Sequence, residues 1–138
     1  MTMKPYHGSC HCGDVRYSAA FDLSKGTAKC NCTICRKTRA WHVVIKQEDF
    51  ALLSDPALTH EYRWIAPGQS APRMGMFSCK RCSVGLFASG DFGRGWFYAI
   101  SIPTLDDIDI DELLAAPIKL EDGLHDRFDR VPEDTRML

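Results

Sequence analysis

No apolar run in this sequence is long enough to cross a bilayer. The longest, residues 96–102, stops at Pro103, whereas a helical span needs ~20 such residues. The first eight residues hold no apolar stretch of the kind a secretory leader carries. The expected location is therefore cytoplasmic, with no membrane partner. Runs of five or more basic residues are also missing, and 17 Lys and Arg are set against 18 Asp and Glu for a net charge of -1. That leaves no broad cationic footprint for a phosphate backbone, so nucleic acid is not an expected partner. Internal repeats beyond the cysteine groups and low-complexity segments are absent, and helical periodicity is scarce.

What remains is an ordinary globular composition, 45% hydrophobic and 25% charged over 138 residues, which suits one domain spanning 1–138. Short strand-like segments dominate. Residues 14–21 set Val15, Tyr17, Ala19 and Phe21 on one face, and 41–45, 59–65, 74–77, 86–88 and 96–102 are rich in β-branched and aromatic residues. Turn signals separate them at Ser24-Lys25-Gly26, Ser54-Asp55-Pro56, Pro67-Gly68 and Ser89-Gly90-Asp91. The pattern predicts a mainly β, mostly antiparallel fold with few short helices. One helical turn is expected at 33–38 and an acidic helix at 105–115, ended by Pro117. The charged segment 121–138 is weakly patterned and is expected to pack loosely.

Seven cysteines are an odd number for a disulfide framework, and a reducing cytosol would not preserve one. They fall into Cys10 and Cys12, then Cys30, Cys32 and Cys35, then Cys79 and Cys82. Zinc takes four thiolates at about 2.3 Å in a tetrahedron. Cys10, Cys12, Cys79 and Cys82 make one complete set, closed to substrate and suited to folding. Cys30, Cys32 and Cys35 then lack a fourth cysteine, and an open position is what distinguishes catalytic from structural zinc. Spacing alone also permits Cys10 and Cys12 to join the middle group. Buried thiols packing as small hydrophobes are the bland alternative. Polar residues within or beside the groups (His11, Asn31, Arg36, Lys80, Arg81) argue against it.

Three motifs in order, Gly8-Ser9-Cys10-His11-Cys12-Gly13-Asp14-Val15-Arg16-Tyr17, Cys30-Asn31-Cys32-Thr33-Ile34-Cys35-Arg36-Lys37 and Phe77-Ser78-Cys79-Lys80-Arg81-Cys82, resemble the glutathione-dependent formaldehyde-activating enzyme family. The resemblance implies a tent-like, mostly β fold with two Zn²⁺ ions. It assigns Cys10, Cys12, Cys79 and Cys82 to the structural ion and Cys30, Cys32 and Cys35 to the catalytic one. One departure stands out: the family usually has Gly directly after the last cysteine, whereas here Ser83-Val84 comes first.

Other candidates carry two readings. His42 offers a fourth ligand or a base, or a strand histidine with a routine hydrogen bond. Arg36, with Lys37, offers a fork for a substrate carboxylate, or a solvated charge balancing the thiolates. Asn31 and Thr33 are candidates to donate hydrogen bonds to the sulfurs. Trp41, Trp64, Trp96 and Phe97 read as core or pocket wall, and the Gly90, Gly93, Gly95 segment as a closing loop or a plain turn. The acidic stretch 106–112 reads as a solvated face. His7, His11, His60 and His125 receive no role.

The expected function is a zinc-dependent carbon–sulfur lyase acting on thiol–aldehyde adducts, with Cys30, Cys32, Cys35 and Arg36 as the catalytic set. A small-molecule thiol or aldehyde is the expected substrate, and a homodimer is one expected assembly. A non-catalytic zinc-stabilised binding module is the rival. Zinc coordination suppresses disulfide chemistry, which ranks a thiol redox protein below both.

Overall fold

The structure, a computed structural model, describes residues 3–66 and 69–138; the turn expected at Pro67-Gly68 lies outside them. In chain order the strands are β1 (Lys4–Ser9), β2 (Arg16–Phe21), β3 (Thr27–Cys30), β4 (His42–Lys46), β5 (Phe50–Leu52), β6 (Thr59–Trp64), β7 (Met74–Cys79), β8 (Gly85–Gly90), β9 (Phe97–Ser101) and β10 (Ile118–Glu121). Helix α1 (Thr33–Thr38) follows β3, and α2 (Ile110–Ala115) precedes β10. The fold is mainly β and mostly antiparallel, as the sequence predicts.

Two sheets form. The smaller has the order β1-β2-β5 and the larger β10-β3-β4-β9-β8-β7-β6. Among the described residues, only the β10–β3 pair is parallel. Alternation in β2 sends Tyr17, Ala19 and Phe21 inward beside Val15, where they meet Ile45, Leu86, Phe87 and Ile100 of the larger sheet. Val15, Leu86, Ile100 and Ile102 are fully buried, each stabilising the fold by roughly 1.5–3 kcal/mol. Phe50 of the small sheet stacks on Tyr98 of the large one, with centroids 3.9 Å apart and planes at 13°. Tyr17 donates or accepts a 2.7 Å hydrogen bond with Thr104 Oγ1, so its hydroxyl is satisfied inside the core. Gly8 admits this ring: a Cβ there would stand 2.3 Å from Tyr17 Cζ.

The acidic stretch is not merely solvated. Lys4 meets Glu112 at 2.8 Å, Ser9 donates to Asp106 at 2.6 Å, and His7 meets Asp107 at 2.9 Å, tying this segment to β1. Helix α2 begins later than periodicity suggests because Asp109 caps it, accepting from the amides of Asp111 and Glu112.

Strand register places the functional end of the large sheet. His42 pairs with Ser101 and with Ala28, so the start of β4, the end of β9 and the Cys30 end of β3 lie together. Gly90 pairs with Phe97 at the opposite end. The Gly90–Gly95 segment is therefore a turn remote from Cys30, closed by Asp91 Oδ1 accepting from the amides of Gly93 and Gly95.

Candidate metal centres

Two hairpin turns carry the four-cysteine group. In the β1–β2 turn, the Cys10 amide donates to the Val15 carbonyl at 3.1 Å, and Gly13 takes φ +85°. The β7–β8 turn repeats the design: the Cys79 amide donates to the Val84 carbonyl at 3.0 Å, and Ser83 takes φ +66°. The residue after the second cysteine is left-handed in both turns. That conformation favours glycine, and Ser83 adopts it without one. The departure from the family pattern thus leaves the knuckle intact.

The four sulfurs lie within 4.8 Å of one another. Cys10 and Cys12 Sγ are 3.7 Å apart, and Cys12 and Cys79 Sγ 3.6 Å. A tetrahedron with metal–sulfur bonds of about 2.3 Å has edges of about 3.8 Å, so these separations fit a zinc-sized ion. Backbone amides also point at the sulfurs: Val15 to Cys10 at 3.3 Å and Arg81 to Cys79 at 3.3 Å. Amides of Cys12 and Val84 bring the Cys82 thiol down to about 6, which favours the ligating thiolate.

Cys30, Cys32 and Cys35 form the second group, their sulfurs also within 4.8 Å of one another. Cys30 ends β3, Cys32 precedes the first turn of α1, and Cys35 lies within it. Hydrogen bonds from Cys30 and Cys35, then from the amides of Cys35 and Ile34, pull the Cys32 thiol down to about 3. Sharing protons with Cys30 and Cys32 pushes Cys35 up. Cys30 is raised as well, first by its bond to Cys32, so without a metal the cluster holds its negative charge on Cys32. Among the described residues, no His, Asp or Glu ligand atom completes this set. His42 is not a member; burial lowers its pKa against the pull of Glu121 and Cys30.

Asn31, between two of these cysteines, does not serve them through its side chain as expected. Its Nδ2 donates to Asp122 Oδ1 at 2.9 Å, and its Oδ1 accepts from the Leu124 amide at 3.0 Å. Asp122 is buried and also holds His125 Nδ1 at 2.9 Å. Asn31 and then His125 keep its carboxyl below the usual range, against the desolvation that opposes them. Gly123 follows, so close that a Cβ would stand 2.4 Å from Cys30 Sγ. Arg36 lines a cavity with Asn31, Asp122 and residues further along this segment.

The tryptophans divide. Trp41 is half-buried and donates to Thr27 Oγ1 at 2.8 Å, Trp64 stacks on Tyr62, and Trp96 is exposed rather than core. No helix among the described residues is long and apolar enough to cross a membrane.

Fold and site together define a small, mainly β protein whose cysteines gather into one four-sulfur and one three-sulfur group, either of which could hold a metal ion. The sequence model described as glutathione-dependent formaldehyde-activating enzyme matches residues 5–119. The chain belongs to that family. A solved structure of a Rhodobacter sphaeroides protein is similar in fold, with a TM-score of 0.64 at 17% identity, covering 81% of this chain and 98% of that one. Family membership points to glutathione- and formaldehyde-related chemistry.

Proposed function

We propose that this protein is a zinc-dependent carbon–sulfur lyase acting on thiol–aldehyde adducts of the glutathione and formaldehyde type. One observation carries the reading: four cysteines form a complete ligand set, while the other three cluster with no fourth protein ligand among the described residues. Cys10, Cys12, Cys79 and Cys82 would hold a structural Zn²⁺, and Cys30, Cys32 and Cys35 a second. When bound, an open zinc supplies Lewis acidity and favours the thiolate form of a thiol.

In the cleavage direction the carbon–sulfur bond breaks and the sulfur leaves with its electron pair. The adduct's hydroxyl loses its proton and becomes the aldehyde carbonyl, and the thiolate takes up a proton. Nothing is oxidised or reduced. The reverse direction joins the same bonds. The Cys30 and Cys35 thiols, joined by the amides of Cys35 and Ile34, favour thiolate at Cys32, and Arg36, beside Cys35, would orient a substrate carboxylate in a bidentate contact. Substrate held this way reacts without diffusing free. His42 stands outside the three-sulfur set, which supports an open position there over one closed by that side chain.

The test is exchange between glutathione, formaldehyde and their adduct, followed by NMR with purified zinc-loaded protein against the uncatalysed mixture. Wild type should accelerate exchange and Cys32→Ser should not. Equal rates for the two proteins would overturn the mechanism.

A further inference from the structure

Residues 120–138 lie beyond the stretch that the family shares, yet they build one wall of a cavity beside the three-cysteine group. The cavity measures about 530 Å³, within the ~300–1,000 Å³ of small-molecule sites. Asn31 and Arg36 supply the opposite wall. The first turn of the segment is held by hydrogen bonds. The Arg127 amide donates to the Asp122 carbonyl at 2.9 Å, the Asp122 amide to the Arg127 carbonyl at 3.3 Å, and Asn31 grips Asp122 and Leu124 from below.

Most charges lining this space already have partners. Asp122 is committed to Asn31 and His125, Asp134 to Arg136 at 2.6 Å, and Arg130 to Asp129 at 3.4 Å. Three remain: Arg36, Arg127 and Glu133 line the cavity, and none has an ion pair among the described residues. Two unpaired cations and one unpaired anion thus surround a space sized for a small molecule.

We infer that this cavity selects a peptide thiol by its charges, Arg36 and Arg127 each taking a carboxylate and Glu133 an ammonium. Glutathione carries this set of two carboxylates and one ammonium. The inference rests on the lyase reading for the thiol's role, and it assigns specificity to a segment outside the family's shared region. Guanidinium forks suit carboxylates in a way that ammonium groups do not. Arg127 contributes only backbone to the turn that fixes it, so its side chain is free to serve a ligand.

Calorimetric titration of the full-length protein with S-methylglutathione isolates the charges, since the capped sulfur can neither form an aldehyde adduct nor bind a metal as thiolate. Wild type should bind it. Arg127→Ala should weaken binding about tenfold, the scale of one charge-assisted contact at a partly exposed site, with Arg127→Lys intermediate. Glu133→Gln should weaken S-methylglutathione but leave its N-acetylated derivative, which lacks the ammonium, unaffected. No binding by wild type, or equal affinity for Arg127→Ala, overturns the proposal. Adduct exchange on the same samples separates the two readings. Arg127-dependent binding without exchange keeps the cavity and removes the lyase, and exchange with an indifferent Arg127 does the reverse.

Discussion

Asn31 sits among three metal-ligand candidates and spends its side chain elsewhere, on Asp122 and Leu124. Sequence spacing could not reveal this, because the partners lie more than 90 residues away. The cysteines were legible for the opposite reason. Within each group the ligand spacing is local, set by one or two intervening residues, and each pair declares itself within a single turn. Gly123 is a further residue that sequence could not single out. A methyl group there would collide with Cys30 Sγ at 2.4 Å and press on Cys32 Cβ at 3.0 Å. Gly123→Ala should therefore cost the three-cysteine site its ion and spare the other, lowering bound zinc from two ions per chain to one by elemental analysis. Ser83 makes the contrasting case, since its left-handed φ of +66° stores about 1 kcal/mol that glycine would release. Ser83→Gly should raise the melting temperature by about 3 °C for a chain of this length, measured by calorimetry, with zinc content unchanged. A lowered melting temperature would contradict this account of the knuckle.

Strands announced themselves where side chains alternate or branch, as in β2, β4, β6 and β9. Those the sequence concealed are β1, β3, β5 and β10, reading KPYHGS, TAKC, FAL and IKLE. They are short or polar, and they exist because a neighbour pairs with them rather than through their own propensity. β10 matters most to the site. Its parallel pairing sets Glu121 opposite Cys30 and brings Gly123, two residues on, against Cys30 Sγ and Cys32 Cβ. The Asn31 contacts then hold this element in place. Asn31→Ala removes both, so the Leu124 amide should exchange its hydrogen at least about tenfold faster, read by exchange NMR, while amides of β8 keep their protection. Unchanged exchange at Leu124 would mean that β10 alone anchors the segment.

At the scale of the whole molecule, two features join the sheets: the aromatic core around Tyr17 and the four-cysteine group. Burial pushes the Tyr17 phenol up to about 12, against the opposing Thr104 bond. An unfolded tyrosine ionises near 10. A folded value above the unfolded one gives stability that is complete below pH 10 and lost as pH climbs towards about 12, worth about 2–3 kcal/mol. Tyr17→Phe should flatten that alkaline limb in denaturant titrations, and Thr104 Oγ1 keeps its bond to the Ser101 carbonyl. The cysteine group crosslinks the β1–β2 turn of the small sheet to the β7–β8 turn of the large one, so the proposed structural ion would hold the architecture while the other serves the chemistry. This division of seven sulfurs into four and three is the central claim, and counting zinc in reduced, full-length protein tests it most directly. Wild type should hold two ions per chain, and Cys32→Ser should hold one and remain folded. Zinc-free wild type, or a Cys32→Ser variant that still binds two, would contradict it.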